Sequence, residues 1–414
     1  MTASRLRIAM LSVHSCPIGQ LGAKDTGGMS VYIRELAHEL GKRGHLVDIY
    51  TRIHDPRDPQ IVNLGQNARL IHLRAGKDEV VHKLAVYSYL SEFAHNLENF
   101  RKYNGLRYDL VFSHYWLSGR VGKYLQQWWD VPHIVVFHTL GAIKNTTGVG
   151  KDEPELRIET ERDLARNCHH IIATTEKEKE CLTLHYGASP QRISVIPCGV
   201  NLELFQPVDK ETASQQLGFV GDKLILFVGR IEPLKGIGQL LKAMPYLRNG
   251  QRPRLVIIGG DKNSQYEMNR LQQLSRNLRL QDSVTFLGLI RQEELPYFYS
   301  AADVCVVPSY YESFGLVALE SLACGTPVVA TDVGDLKSII RQGETGYVVI
   351  GDSPRHLADK IALLLSRPSP DTKSVLSIRA SVSRFSWTNI AEAIIRECRL
   401  VLANYFLLPE ISPR

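Results

Sequence analysis

Two carboxylates stand eight positions apart in the run Pro308-Ser-Tyr-Tyr-Glu312-Ser-Phe-Gly-Leu316-Val-Ala-Leu-Glu320-Ser-Leu-Ala-Cys-Gly-Thr-Pro-Val-Val. A carboxylate accepts paired hydrogen bonds, which suits the hydroxyls of a sugar. Phe314, Gly315 and Leu316 read as a helix opening, where free amides suit a phosphate. Glu320 falls among apolar residues, and a charge buried without a partner is costly, so a ligand role outweighs a solvated one. Two cations, Arg230 and Lys235, occur in Phe227-Val-Gly-Arg-Ile-Glu-Pro-Leu-Lys-Gly. Together they could neutralise a nucleoside diphosphate, although spacing alone also fits two solvated side chains. The glycine pair in Asp25-Thr-Gly-Gly28-Met-Ser could let backbone approach an anion closely, or be an ordinary strand–helix turn. No nucleophile stands out, and no Asp-X-Asp triplet occurs, so no tightly ligated metal or resident cofactor is expected.

These residues need a frame. Strand-like runs alternate with helix-length amphipathic segments: Arg7–Val13, Leu46–Tyr50, Leu110–Ser113, Ile134–His138, His170–Thr174 and Arg192–Pro197. Polar residues Cys198–Leu217 read as a linker, and the rhythm restarts at Lys223–Gly229, Arg254–Gly259, Val284–Leu287, Val304–Val307 and Val328–Ala330. Such alternation predicts α/β architecture with two doubly wound parallel sheets, joined near residue 205. Ligands then belong beyond the carboxyl ends of the strands, in the cleft between the domains. The last segment, Trp387–Phe406, is one long amphipathic helix pattern that needs an apolar partner.

The 414 residues are 44% apolar and 22% charged, which excludes disorder, collagen and coiled coil as whole-chain descriptions. A net charge of +6 gives no argument for nucleic acid, but it is compatible with an anionic small molecule or a loose contact with acidic lipid. No apolar run approaches the ~20 residues of a membrane span, and no secretion signal is apparent. The seven cysteines form no CxxC pair and read as reduced core thiols, so a cytoplasmic location is expected. The segment Lys77–Arg101 carries helical periodicity through Leu84, Tyr87, Leu90, Phe93 and Leu97 and reads as core rather than membrane-facing.

The Glu312/Glu320 stretch resembles the E-x7-E signature of retaining GT-B glycosyltransferases of family 4. The resemblance extends over nearly the whole chain, through FVGRIEPLKG, VIPCGVNLELFQP, HSCPIGQLGAKDTGGMSVYIREL, SHYWLSG and HTLGAIKN. The last three are similar to the branch that holds sucrose-phosphate synthases and an inositol-phosphate glycosyltransferase. It implies two Rossmann-like domains facing a deep cleft. Residues 1–204 would bind the acceptor, helped by a C-terminal helix over 388–414 that crosses back at Phe385-Ser-Trp387. Residues 205–387 would bind the nucleotide sugar. The implied donor-binding residues are Gly28, Arg230, Lys235, Glu312, Phe314, Gly315, Leu316 and Glu320. His138 would sit at the reacting face, where composition alone makes it an ordinary strand-end histidine. Implied acceptor residues are Tyr115, Thr139, Arg157 and either Lys77 or Lys83.

The resemblance further implies attack on the face from which the phosphate departs, with the protein supplying position and charge rather than a nucleophile. UDP-glucose is the expected donor and fructose 6-phosphate the first acceptor, with any magnesium no more than stimulatory. Ser30, where the inositol-phosphate branch carries asparagine, and the wording of RIETE lean towards the sucrose-phosphate side. Inositol phosphate, a free sugar or a lipid are the alternative acceptors. A non-catalytic sugar-nucleotide sensor is the alternative of a different class, against which the intact set His138, Arg230, Lys235, Glu312 and Glu320 argues.

Overall fold

A computed structural model describes residues 5–19, 26–150, 152–247, 253–351 and 353–407. Asp25 of the glycine motif and the last residues of the expected C-terminal helix lie outside them. The first sheet comprises β1 (Arg7–Leu11), β2 (Leu46–Arg52), β3 (Ile61–Asn63), β4 (Ala68–Leu73), β5 (Leu110–His114), β6 (His133–Val136), β7 (His170–Ala173) and β8 (Ile193–Val195). Its order is β3-β4-β2-β1-β5-β6-β7-β8, parallel except for the antiparallel β3–β4 pair. The second sheet comprises β9 (Leu224–Val228), β10 (Arg254–Ile258), β11 (Val284–Gly288), β12 (Val304–Val307), β13 (Val328–Thr331) and β14 (Gly346–Val349). Its order is β11-β10-β9-β12-β13-β14, with every described pair parallel. The central strands are near-continuous apolar runs because helices cover both of their faces.

Three elements depart from the sequence reading. β3 and β4 flank a tight turn at Gly65-Gln66-Asn67, and β14 comes straight after a turn at 343–345, so the strand rhythm hides them. The expected linker also ends early, because Lys210–Leu217 is a helix. Asp209 caps it, accepting from the Thr212 amide at 2.9 Å, and only Ala213 is fully buried, with Leu217 packed partly against the core, which explains its polar composition. Of the segment Lys77–Arg101, residues 83–101 are helical as read, whereas 77–82 are not. Leu90, Phe93, Leu97 and Phe100 bury one face of the helix Leu90–Tyr103 against the first lobe. Among the described residues no helix is long and apolar enough to cross a membrane.

The chain passes between the lobes twice, and the crossings meet. Val200 donates its amide to the Phe385 carbonyl at 2.8 Å. Arg379 donates to the carbonyls of Leu202 and Ala323, both at 2.6 Å, and to that of Phe205, tying the first crossing to the second lobe. The final helix, Trp387–Leu407, then lies back on the first lobe along the helix Gly28–Lys42. Arg43 caps that contact on the Thr388 carbonyl at 2.7 Å, and Tyr405 reaches Asp130 at 2.6 Å. Trp387 packs edge-on to Tyr32 with ring centroids 5.3 Å apart.

Gly199 sits directly against that indole: a Cβ there would lie 2.5 Å from Trp387 Cδ2. Gly199→Ala must displace the ring, and overpacking of this kind costs about 1–3 kcal/mol. Denaturant unfolding should report a loss of that size, with Gly218→Ala, where a Cβ meets no atom within 4 Å, as the comparison for strain alone.

Candidate active site

Strand order reverses between β1 and β5 in one sheet and between β9 and β12 in the other. The loops beyond those carboxyl ends face each other across a cleft of about 290 Å³. Residues from both lobes line it, including Gly27, Gly28, His138 and Thr139 from one and Arg230, Lys235, Glu312 and Glu320 from the other. The expected donor residues thus come together from three separate segments, those after β1, β9 and β12.

The glycine turn meets the second lobe closely. A Cβ on Gly27 would lie 3.6 Å from Arg230 Nε, and one on Gly28 would lie 3.1 Å from Leu316 Cδ1. Arg230 pairs with Glu232 at 3.0 Å. Lys235 pairs with Glu312 at 2.6 Å, and Ser309 donates to the same carboxylate oxygen at 2.7 Å. Gly315, at φ +115°, ends the loop and begins the helix Leu316–Ala323, whose first amides face the cleft. A side chain there would also strike Leu336 at 2.6 Å. Glu320 is buried one turn further in and accepts from the Tyr299 hydroxyl at 2.8 Å. Burial raises its carboxyl to about 7, and the Tyr299 hydrogen bond only partly offsets this.

His138 occupies the left-handed region at φ +61°, a conformation rare outside glycine that is costly to hold. Its Nε2 lies 3.0 Å from His114 Nδ1, and Tyr32 packs edge-on to both rings. Burial drives the His138 imidazole down to about 3, so the ring is neutral at working pH. A shared hydrogen bond between two neutral imidazoles needs one donor. His114 Nε2 is buried with no partner, so donation by His114 Nδ1 leaves a bare nitrogen rather than an orphaned N–H there. That choice places the His138 hydrogen on Nδ1, its remaining ring nitrogen.

The other wall of the cleft carries Lys83, Lys144, Tyr115 and Thr139. Of the two candidate lysines, Lys83 belongs to the site. Lys77 is exposed, lies 3.9 Å from Glu79 and is absent from the cleft lining, because the chain at 77–79 is held by Arg52 to the outside of the lobe. Arg157 is fully buried behind the wall rather than exposed on it. It pairs with Glu161 at 2.6 Å, donates to the Thr139 side chain at 2.9 Å, and lies over the Tyr115 ring at 4.8 Å. It therefore contacts two residues of the cleft wall, Thr139 and Tyr115, without lining the cleft itself. Ser30 is also buried, 2.9 Å from the Ser15 hydroxyl, and does not line the cleft.

The sequence reading missed several residues of the wall. Lys144 and His14 lie inside quoted motifs, HTLGAIKN and HSCPIG, but received no role. Tyr311, which accepts from the Leu140 amide at 3.3 Å across the lobes, likewise stands beside Glu312 in a quoted run without a role, whereas Glu153, which pairs with Lys83 at 3.2 Å and also with Lys144, carried no local signal.

Two doubly wound lobes, opposed switch points and a cation-lined cleft are the architecture of the GT-B glycosyltransferases. The description Glycosyltransferase Family 4 matches residues 26–204, and Glycosyl transferases group 1 matches residues 209–380. The chain is 38% identical over 408 residues to a D-inositol 3-phosphate glycosyltransferase of Corynebacterium glutamicum, covering 96% of this chain and 98% of that one. It is 39% identical over 403 residues to a protein of the same name from Geodermatophilus obscurus, covering 94% and 88%. Among solved structures, a sucrose-phosphate synthase from Thermosynechococcus elongatus superposes with a TM-score of 0.89 at 34% identity, covering 97% of this chain and 100% of that one. The chain belongs to family 4 of the GT-B glycosyltransferases, in the branch similar to sucrose-phosphate synthases and inositol-phosphate glycosyltransferases. It is a hexosyltransferase, which removes the sensor alternative.

Two outcomes follow from the geometry. Arg157→Ala leaves Glu161 buried without its cation and should cost about 3–5 kcal/mol in denaturant unfolding. Glu320, held protonated up to about 7, binds protons in the fold that the unfolded chain releases. It therefore withdraws stability as pH rises from the ordinary carboxyl value to about 7. Glu320→Gln should accordingly gain on the wild type between pH 5 and 8, by on the order of 1–3 kcal/mol.

Proposed function

We propose that the protein moves a hexose, with retention of anomeric configuration, from a nucleotide sugar to a small phosphorylated acceptor, UDP-glucose and fructose 6-phosphate being the first choices. One observation carries this reading: the cleft is lined by two cations from each lobe, and the cleft carboxylate Glu232 lies within electrostatic reach of all four. Arg230 and Lys235 face the Gly27–Gly28 turn, and Lys83 and Lys144 stand beside Tyr115 and Thr139. One set suits the diphosphate of the donor and the other a phosphate on the acceptor.

In this reading the first helical amides, Arg230 and Lys235 take up charge as the bond from the anomeric carbon to the phosphate oxygen breaks. The acceptor hydroxyl attacks from that same face and passes its proton to the departing phosphate. Glu320 holds the ribose hydroxyls, and His138 offers its Nδ1 hydrogen towards the donor sugar. The acceptor's own phosphate is untouched and leaves with the product. The preference for fructose 6-phosphate draws on the likeness to a sucrose-phosphate synthase across 97% of the chain. Inositol phosphate is the second reading, favoured by the names of the relatives at 38–39% identity.

Release of nucleoside diphosphate across a matrix of donors and acceptors tests both. Fructose 6-phosphate should turn over fastest with UDP-glucose, and the product should keep the donor's anomeric configuration by NMR. Faster turnover of inositol phosphate installs the second reading, and activity confined to unphosphorylated sugars removes both. Lys83→Met should raise the acceptor KM by about tenfold or more while moving the donor KM less than about twofold.

A further inference from the structure

Glu153 lies behind the acceptor wall and takes no part in the chemistry above. Its side chain is buried, yet three cations converge on it. Lys83 Nζ stands 3.2 Å from Oε1, Lys144 pairs with the same oxygen, and Arg157 Nη1 is 2.9 Å away but out of line for a hydrogen bond. Burial pushes the Glu153 carboxyl up, but Arg157, Lys144 and Lys83 outweigh it and hold the carboxyl at about 2. The carboxylate is thus charged at any pH at which the enzyme works. Its backbone is fixed as well: Asn145 accepts from the Glu153 amide at 2.7 Å and donates to its carbonyl at 3.0 Å.

The neighbouring carboxylate cannot share this role. Glu161 is already occupied by Arg157 at 2.6 Å, the Gly141 amide at 2.9 Å and the Tyr186 hydroxyl at 3.0 Å. Glu232, on the cleft side, also lies within electrostatic reach of both lysines but makes its ion pair with Arg230 at 3.0 Å, so Glu153 is the carboxylate in contact with Lys83 and Lys144, from behind, while both lysines line the cleft. Each ammonium has three hydrogens and can serve an anion on either side. The acceptor and the product carry the same phosphate, so a stronger grip on one is an equally stronger grip on the other.

We propose that Glu153 is a specificity-determining counter-anion: from behind the wall it draws on Lys83 and Lys144 and so sets how tightly the cleft holds a phosphate carried in by the acceptor and out by the product. This rests on the phosphorylated-acceptor reading above. Without Glu153 the lysines bind such a phosphate more tightly and release it more slowly.

The test uses the full-length enzyme with Glu153→Gln, which keeps shape and removes charge, and Glu153→Asp, which keeps charge. Calorimetric titration with inorganic phosphate should show binding roughly tenfold tighter in E153Q than in wild type, as expected for removing one charge next to a partly buried pair. The KM for the phosphorylated acceptor should fall in parallel, product inhibition should strengthen, and the donor KM should move less than about twofold. E153D should return phosphate affinity towards wild type. Unchanged phosphate affinity in E153Q overturns the proposal. So does weaker phosphate binding with a higher acceptor KM, which would make Glu153 a brace that aims the lysines. Tighter phosphate binding in E153Q, combined with equal wild-type turnover of phosphorylated and unphosphorylated sugars, would sustain the role of Glu153 and remove the acceptor assignment instead.

Discussion

A cleft that receives anions must store cations while it is empty, and half-buried cations need counter-charges. This constraint organises the whole site. Each cation on the cleft walls has a resident carboxylate: Lys235 has Glu312, Arg230 has Glu232, and Lys83 and Lys144 share Glu153. Behind them Arg157 is held by Glu161. The pairs are short but incompletely buried at the cleft face, so the cations remain available to a ligand without being left alone before it arrives. Positioning and charge are therefore fixed before substrate binds, which is what a transfer without a protein nucleophile requires.

The same economy shapes the backbone. His138 and Tyr115 are held at φ +61° and +77°, and both stand at strand ends facing the cleft. Such conformations persist only where the surroundings determine them. Here Tyr32 packs against His138 at 5.1 Å, and Arg157 lies over Tyr115. The histidine is thus supported by a ring stack that ends at Trp387 of the returning helix. Across the cleft, Arg34 bonds Gln292 and Tyr311 accepts from Leu140, so the lobes also touch through polar contacts that opening would break.

Much of this was legible in the chain. Parallel strands covered on both faces are unbroken apolar runs, so LVFSH and LILFV announce themselves, whereas Ala68–Leu73 and Gly346–Val349, placed straight after turns, do not. Glu312, Glu320, Arg230 and Lys235 could be read because the loop after one strand carries each pair in a few residues. Glu153 could not, since one of its two lysines is 70 positions away and the other, nine positions away, meets it only through the folding of the intervening loop. The burial of Arg157 was not legible for a related reason. Glu153, Arg157 and Glu161 at four-residue spacing have the pattern of an exposed helical ion-pair row, and only the tertiary fold shows that the row is turned inward.

The hydrogen bond from Val200 to Phe385 has a mechanical meaning. Two covalent threads laid side by side act as the pin of a door. A swing about it leaves the threads side by side, whereas twisting one panel over the other would shear them apart. Displacement under a swing grows with distance from the pin, so His138, linked to Trp387 through Tyr32 alone, holds its station while the far rim sweeps the widest arc.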